Sequence, residues 1–281
     1  MTDCNLSCSS CSEDCNERRE GQPDPLAIAK ANPDSHIKKV IAVMSGKGGV
    51  GKSMVTAQIA AEMARRGDQV GIMDGDITGP SIPKMLGITE RAQSDGTAFL
   101  PVKAKGELAV MSLNLVVENE EDPIVVRGPI IAGTIRQFWT DVAWGELDYL
   151  FVDMPPGTGD VALAVMQNLP VDGIIVVTSP QELVKMIVGK AIRMAKMLNK
   201  PVLGLIENYS YLKCPECGKQ ISVFGESHID KVAAEYDLKV LGKIPIDPAI
   251  AEACDNGKAQ FIKANYLDNA AELLEGMLEV K

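Results

Sequence analysis

Positive charge is the first thing this chain is short of. Its 281 residues carry 28 Lys and Arg against 38 Asp and Glu, a formal net charge of −10. Proteins that live on nucleic acid neutralise phosphates with clustered cations. No dense basic run exists here, so nucleic-acid binding is not expected, and an anionic membrane surface is disfavoured for the same reason. Also missing is any run of the about 18 apolar residues that a bilayer-spanning helix needs. The N-terminus, MTDCNLSCSSCSEDC, has neither the basic region nor the apolar core of a signal peptide, which points to a cytoplasmic protein. The two histidines, His36 and His228, form no constellation, and there is no internal repeat or low-complexity tract.

What is present suits a sizeable core. Hydrophobic residues make up 46% and charged residues 23%, enough for one large α/β domain or two small ones. Residues 1–36 stand apart as a polar, Cys-rich tail without apolar periodicity, a segment expected to be disordered unless it holds a metal. The globular domain is expected over 37–281. Apolar runs at Val40–Met44, Val70–Met73, Ile124–Val126, Tyr149–Val152, Gly173–Thr178, Val202–Ile206 and Val240–Lys243 read as strands, with a weaker one at Leu108–Ser112. Helical patterns cover Ser53–Arg66, Ser81–Leu86, Ile130–Val142, Val161–Asn168, Glu182–Leu198, Ile229–Tyr236 and Tyr266–Leu278. Continuous apolar strands alternating with helices predict a doubly wound, mostly parallel α/β sheet, with ligands at the strand C-termini.

The strongest motif is Gly46-Lys47-Gly48-Gly49-Val50-Gly51-Lys52-Ser53, a full G-x-x-x-x-G-K-[ST] match between a strand and a helix. Glycines let backbone N–H groups turn inward around phosphates, and the helix N-terminus adds partial positive charge. Lys52 is expected to reach the β- and γ-phosphates of ATP, and Ser53 to ligate Mg²⁺. Leu150-Phe151-Val152-Asp153 ends a hydrophobic strand on an acid suited to a Mg²⁺-bound water. Asp74, at another strand tip, could support Mg²⁺ through water. In the Met154–Asp160 loop, Gly157 could offer its N–H to the γ-phosphate, making the loop a nucleotide-dependent switch.

Seven cysteines in a reducing compartment suggest metal binding. Cys214-Pro215-Glu216-Cys217-Gly218 is a knuckle that supplies two thiolates, half of a usual set. A two-fold axis would supply the other half, giving a [4Fe–4S] cluster bridged between two copies. CPxCG is also half a zinc ribbon, and the chemistry alone leaves cluster and zinc open. Cys4, Cys8, Cys11 and Cys15 offer four thiolates within twelve residues, enough for a cluster of their own, or for zinc. Cys4-x3-Cys8-x2-Cys11 also fits radical SAM spacing, but a polar tail ahead of a P-loop domain is the wrong context. Cys254 has no assigned role.

With SGKGGVGKS, DGDITGPSIPKMLG, DMPPGTGD, IENYSYLKCPECG and IPID in hand, the chain from about Lys38 onward resembles the Mrp/ApbC-type iron–sulfur cluster carriers. These belong to the deviant Walker A superfamily with MinD, ParA and the nitrogenase iron protein. The resemblance implies a homodimeric ATPase, slow and regulatory, that passes [4Fe–4S] clusters to apo-proteins. It implies that Lys47 reaches the partner's nucleotide, that Asp76 positions the attacking water, and that Asn208, Pro245 and Asp247 contact the base. Two departures stand out. The tail spacing is compact, and Tyr209 stands where relatives often have Met, with little consequence expected for base binding. The alternatives are a ParA/MinD-like positioning ATPase with structural zinc, and a nucleotide-dependent electron-transfer protein.

Overall fold

The computed structural model describes residues 28–77, 79, 81–117, 128–180, 184–263 and 265–279. The expected strand at Ile124–Val126, the four tail cysteines and the first residues of the expected helix from Glu182 lie outside them.

In chain order the strands are β1 (Ser35–Ser45), β2 (Val70–Asp74), β3 (Gln93–Ser94), β4 (Phe99–Leu100), β5 (Val102–Lys103) and β6 (Ala109–Met111). They continue with β7 (Gly145–Asp153), β8 (Gly173–Thr178), β9 (Val202–Glu207), β10 (Leu212–Lys213), β11 (Gln220–Ile221) and β12 (Val240–Lys243). The helices are α1 (Lys52–Arg65), α2 (Ile82–Met85), α3 (Gly128–Thr140), α4 (Asp160–Asn168), α5 (Val184–Met197), α6 (Ile229–Glu235), α7 (Pro248–Asp255) and α8 (Asp268–Glu279). Eight strands form one sheet in the order β12-β9-β8-β1-β7-β2-β6-β5. Neighbours run parallel except β5 and β6. β1 lies between β7 and β8, so the strand order reverses beside its C-terminal end, where a doubly wound sheet opens a crevice.

Side-chain alternation divides the sheet into two cores. On β1, Val40, Ala42 and Met44 face one way, with Leu150 and Val152 of β7 and Ile174 and Val176 of β8. Helices α3 to α6 cover this face through residues such as Phe138, Val165, Val188 and Val232. Ile41 and Val43 face the other way, beside Tyr149, Phe151, Ile175 and Val177. Here α1, α2, α7 and α8 close the layer through Val55, Ile59, Ile82, Ile250 and Leu274. Burial on both faces is why these strands read as unbroken apolar runs.

Helix α1 carries the run AQIAAEMA, rich in the best helix former. It stops at Gly67, whose φ of 105° suits a left-handed cap and whose N–H bonds the Ala64 carbonyl at 3.1 Å. The packed body extends N-terminal to the expected start at Ile37. Ala29 is buried, its N–H bonds the Asn168 carbonyl at 3.1 Å, and its own carbonyl accepts the Trp139 indole N–H at 2.8 Å. The last helix begins at Asp268 rather than Tyr266, because Asn265–Leu267 forms a 3₁₀ turn.

Phe151 is fully buried and stacks with Tyr149 at a ring separation of 6.1 Å. Truncating a buried Phe costs about 3–5 kcal/mol. Phe151→Ala is expected to lower the urea midpoint by a corresponding amount, and a midpoint unchanged from wild type would place this ring outside the core.

Candidate functional site

The loop after β1 lies where β1, β7 and β2 end. Gly51 precedes α1 with φ 79°, in the region that favours glycine. A methyl group there would collide with the Asn208 side-chain amide, and the Tyr209 hydroxyl lies close by. Two constraints therefore fix this glycine. No side chain caps α1 and no acidic residue sits in its first turn, so its opening N–H groups are left for an anion.

Asp153, at the tip of β7, is fully buried and tightly engaged. Its Oδ2 lies 2.7 Å from Lys52 Nζ and accepts the Ser53 hydroxyl at 2.5 Å, while Oδ1 accepts Thr56 Oγ1 at 2.8 Å. Lys52 is itself only 5% exposed. Both charges would be costly to bury alone, and here each has its partner. Asp76 approaches the same ammonium at 3.9 Å. Ser53 and Asp153 thus bring two oxygen donors together, a set that fits the hard Mg²⁺ ion. Lys52 must exchange its carboxylate for phosphate oxygens when a triphosphate docks.

Asp74 stands opposite Asp153 in the register of β2 and β7 and is also fully buried. Its Oδ2 accepts Ser112 Oγ at 3.1 Å, and its Oδ1 accepts the Asp76 N–H at 3.2 Å. Burial, and then the negative charge of Asp153, pushes its carboxyl up to about 8. Gly157, with φ 90°, donates its N–H to the Ser45 carbonyl at 2.9 Å. That bond holds the Met154–Asp160 loop to the end of β1. Lys47 is half-buried, and its carbonyl accepts the Ser45 hydroxyl at 2.9 Å.

Asn208 follows β9 directly. It is fully buried, and its side-chain Nδ2 donates to the Val50 carbonyl at 2.9 Å, so the expected base reader touches the phosphate loop itself. Pro245 is half-buried. Asp247 is exposed and caps α7, its Oδ1 accepting the Ala249 N–H at 2.9 Å. That cap is a sufficient structural reason for an Asp before Pro248.

The cysteine knuckle joins β10 to β11, an antiparallel pair. Cys214 N–H bonds the Lys219 carbonyl at 2.9 Å, and Gly218 N–H bonds the Cys214 carbonyl at 2.9 Å. Cys214 is half-buried and Cys217 exposed. The backbone N–H groups of Cys217 and Glu216, and then the Cys217 thiol, lower the Cys214 thiol from its ordinary value, favouring a thiolate. Among the described residues no group of three or more Cys, His, Asp or Glu is placed to hold a metal. Cys254 sits half-buried in α7, its thiol pushed up by burial and then by Asp255, the opposite of a reactive site.

Residues 36–279 match the model of the NUBPL iron-transfer P-loop NTPases, within the ParA group. The chain belongs to that family. An iron–sulfur cluster carrier protein of Clostridium perfringens is 42% identical, over 93% of this chain and 96% of its own. The carrier of Methanocaldococcus jannaschii is 43% identical, over 92% of this chain and 90% of its own. Among solved structures, a nucleotide-binding protein of Archaeoglobus fulgidus in complex with ADP superposes with a TM-score of 0.74 at 41% identity, covering 82% of this chain and 90% of that one. Sequence reasoning missed two contributors to this NTPase site. Thr56 lies one helical turn past Lys52, where a Thr reads as ordinary helix. Ser112 reaches Asp74 only across the sheet.

The native chain keeps a proton on Asp74 that the unfolded chain loses near the ordinary Asp value of about 4. The folded state therefore binds more protons between about pH 4 and pH 8, and this group makes stability fall as pH rises through that window. Asp74→Asn is expected to flatten the decline. Urea midpoints in nucleotide-free, metal-free buffer at about pH 5 and about pH 8 measure it; an equal slope in both proteins contradicts the assignment.

Proposed function

We propose that the chain is an ATP-dependent carrier that hands [4Fe–4S] clusters to apo-proteins and works as a homodimer. One observation carries the reading: a two-thiol half-site, half-buried at Cys214 and exposed at Cys217, stands on the same short segment whose first residue, Asn208, holds the phosphate loop. Family membership supports it, since relatives at 42% and 43% identity along most of their length are cluster carriers.

The residues divide the work. Gly46 to Gly51 and the start of α1 cradle the triphosphate with backbone N–H groups, and Lys52 takes the β- and γ-phosphate charge. Ser53 and Asp153 would hold Mg²⁺, which would supply positive charge against the phosphates. Asp76 orients the attacking water. The partner's Lys47 offsets charge developing on the γ-phosphate, as an arginine finger does. Gly157 reports whether a γ-phosphate is present. Asn208, Pro245 and Asp247 contact the adenine. ATP hydrolysis in this account is slow and resets the protein.

Cys214 and Cys217 of each copy supply four thiolates to one cluster, which is cargo and not a resident group. Cys4, Cys8, Cys11 and Cys15 form a second site, for a cluster or for zinc. No described helix is long and apolar enough to cross a membrane. A cytoplasmic setting, reducing enough to keep the thiols free, fits this chemistry. The positioning-ATPase alternative would use the thiols only for structural zinc, and its membrane or DNA partners call for basic surface that a net charge of −10 does not favour.

Two measurements test the assignment. Cys214→Ser combined with Cys217→Ser is expected to reduce cluster donation to an apo-ferredoxin to background while leaving ATP hydrolysis in place; donation at the wild-type rate contradicts it. Lys47→Ala is expected to lower the hydrolysis rate by about 10³-fold with little change in ATP affinity. An unchanged rate removes Lys47 from the mechanism.

A further inference from the structure

The segment between the phosphate loop and the thiols is short and almost entirely hydrogen-bonded. β9 ends at Glu207, and Asn208 next to it bonds Thr178 through its backbone N–H at 2.8 Å and Val50 through its side chain at 2.9 Å. From Ser210 onward the chain runs beside the loop that follows β12. Ser210 N–H bonds the Ile244 carbonyl at 2.8 Å, Ile246 N–H bonds the Tyr211 carbonyl at 2.7 Å, and Leu212 pairs with Ile246. Two residues later comes Cys214. The one joint in this path is Tyr209, whose φ of 59° is uncommon for a bulky side chain.

Two side-chain bonds span that joint: Asn208 Oδ1 accepts the Tyr209 N–H at 2.9 Å, and a second bond runs from Ser210 to Glu207. Ser210 Oγ donates to Glu207 Oε2 at 2.5 Å, with Glu207 fully buried and Ser210 6% exposed. The other carboxylate oxygen, Oε1, is buried with no hydrogen-bond partner. A buried acceptor left unmatched is costly, and packing alone would be served better by an apolar residue. An unmatched oxygen beside a strained turn is a suitable element for two arrangements of nearly equal energy.

We propose that Glu207 and Ser210 are positioning residues, a latch across the Tyr209 turn that transmits nucleotide occupancy at Asn208 to the Cys214–Cys217 knuckle. This rests on the reading above that ATP and a cluster share the chain, and it names the regulating element between them. Nucleotide at Asn208 displaces the turn. The Glu207–Ser210 bond makes the displacement move Leu212 and Lys213, and hence the thiols, instead of being absorbed at Tyr209. Without the bond the turn yields and the knuckle stays still.

Site-resolved alkylation of the reduced, cluster-free full chain tests this. Iodoacetamide labelling at Cys214 and Cys217 is followed by peptide mass spectrometry, with and without Mg²⁺ and a non-hydrolysable ATP analogue. Wild type is expected to change its labelling rate about fivefold or more with nucleotide, the usual lower bound of coupling between two sites. Ser210→Ala is expected to bind the analogue with wild-type affinity yet to show no nucleotide effect, and Ser210→Thr to restore it. Glu207→Gln keeps the shape but puts an amide in place of the carboxyl that accepts the Ser210 hydroxyl; it is expected to lose more than half of the effect, and serves if Ser210→Ala does not fold. A full nucleotide effect in Ser210→Ala or Glu207→Gln, or none in wild type, overturns the latch. Failure of the carrier reading registers separately, as reconstituted wild type that holds no iron at Cys214 and Cys217.

Discussion

Much of this molecule depends on one buried carboxylate. Asp153 ends β7 with no solvent exposure, and its charge is tolerable only because Lys52, Ser53 and Thr56 converge on it. Those three residues come from the first turns of α1, so the ion pair fixes that helix against the sheet tip. The helix in turn fixes the glycine loop, and the loop's Val50 carbonyl anchors Asn208 on the far side. A bond between a strand end and a helix start thereby sets the frame for both the phosphate cradle and the segment that bears the cysteines.

The arrangement also sets the two acids apart. They end adjacent strands in register, and Lys52 lies 2.7 Å from Asp153. Asp74 instead accepts a hydroxyl and a backbone N–H, and burial and then Asp153 push its carboxyl up.

The sheet, its parallel sense and the phosphate loop were legible in the sequence because their signals are local. A run such as Val40–Met44 is apolar at every position since both faces are covered, and glycine, lysine and serine spacing writes the loop directly. The knuckle was legible for the same reason. Contacts that close over long separations were not: Ala29 under Trp139, Ser112 on Asp74, Arg66 on Glu275. Nor was the Glu207–Ser210 bond, because Glu, Ser and a following Tyr are common wherever strands end. Tyr209 has a left-handed backbone, φ 59°, and its hydroxyl lies by Gly51, neither of which its place in the sequence announces. Asp247 was read as a base contact, while its helix cap, announced by the Pro that follows, went unread.

At the centre stands the claim that the C-terminal end of the sheet presents two half-sites, one for triphosphate and one for metal–sulfur cargo, each completed by a second copy of the chain. Native mass spectrometry of anaerobically reconstituted protein, with Cys4, Cys8, Cys11 and Cys15 replaced by serine, weighs this in one spectrum. The account predicts a species of two chains with one cluster, which falls to bare single chains when the cluster is stripped by chelation in the absence of nucleotide. Single chains that each carry a whole cluster, or reconstitution that yields only iron-free protein, would contradict it.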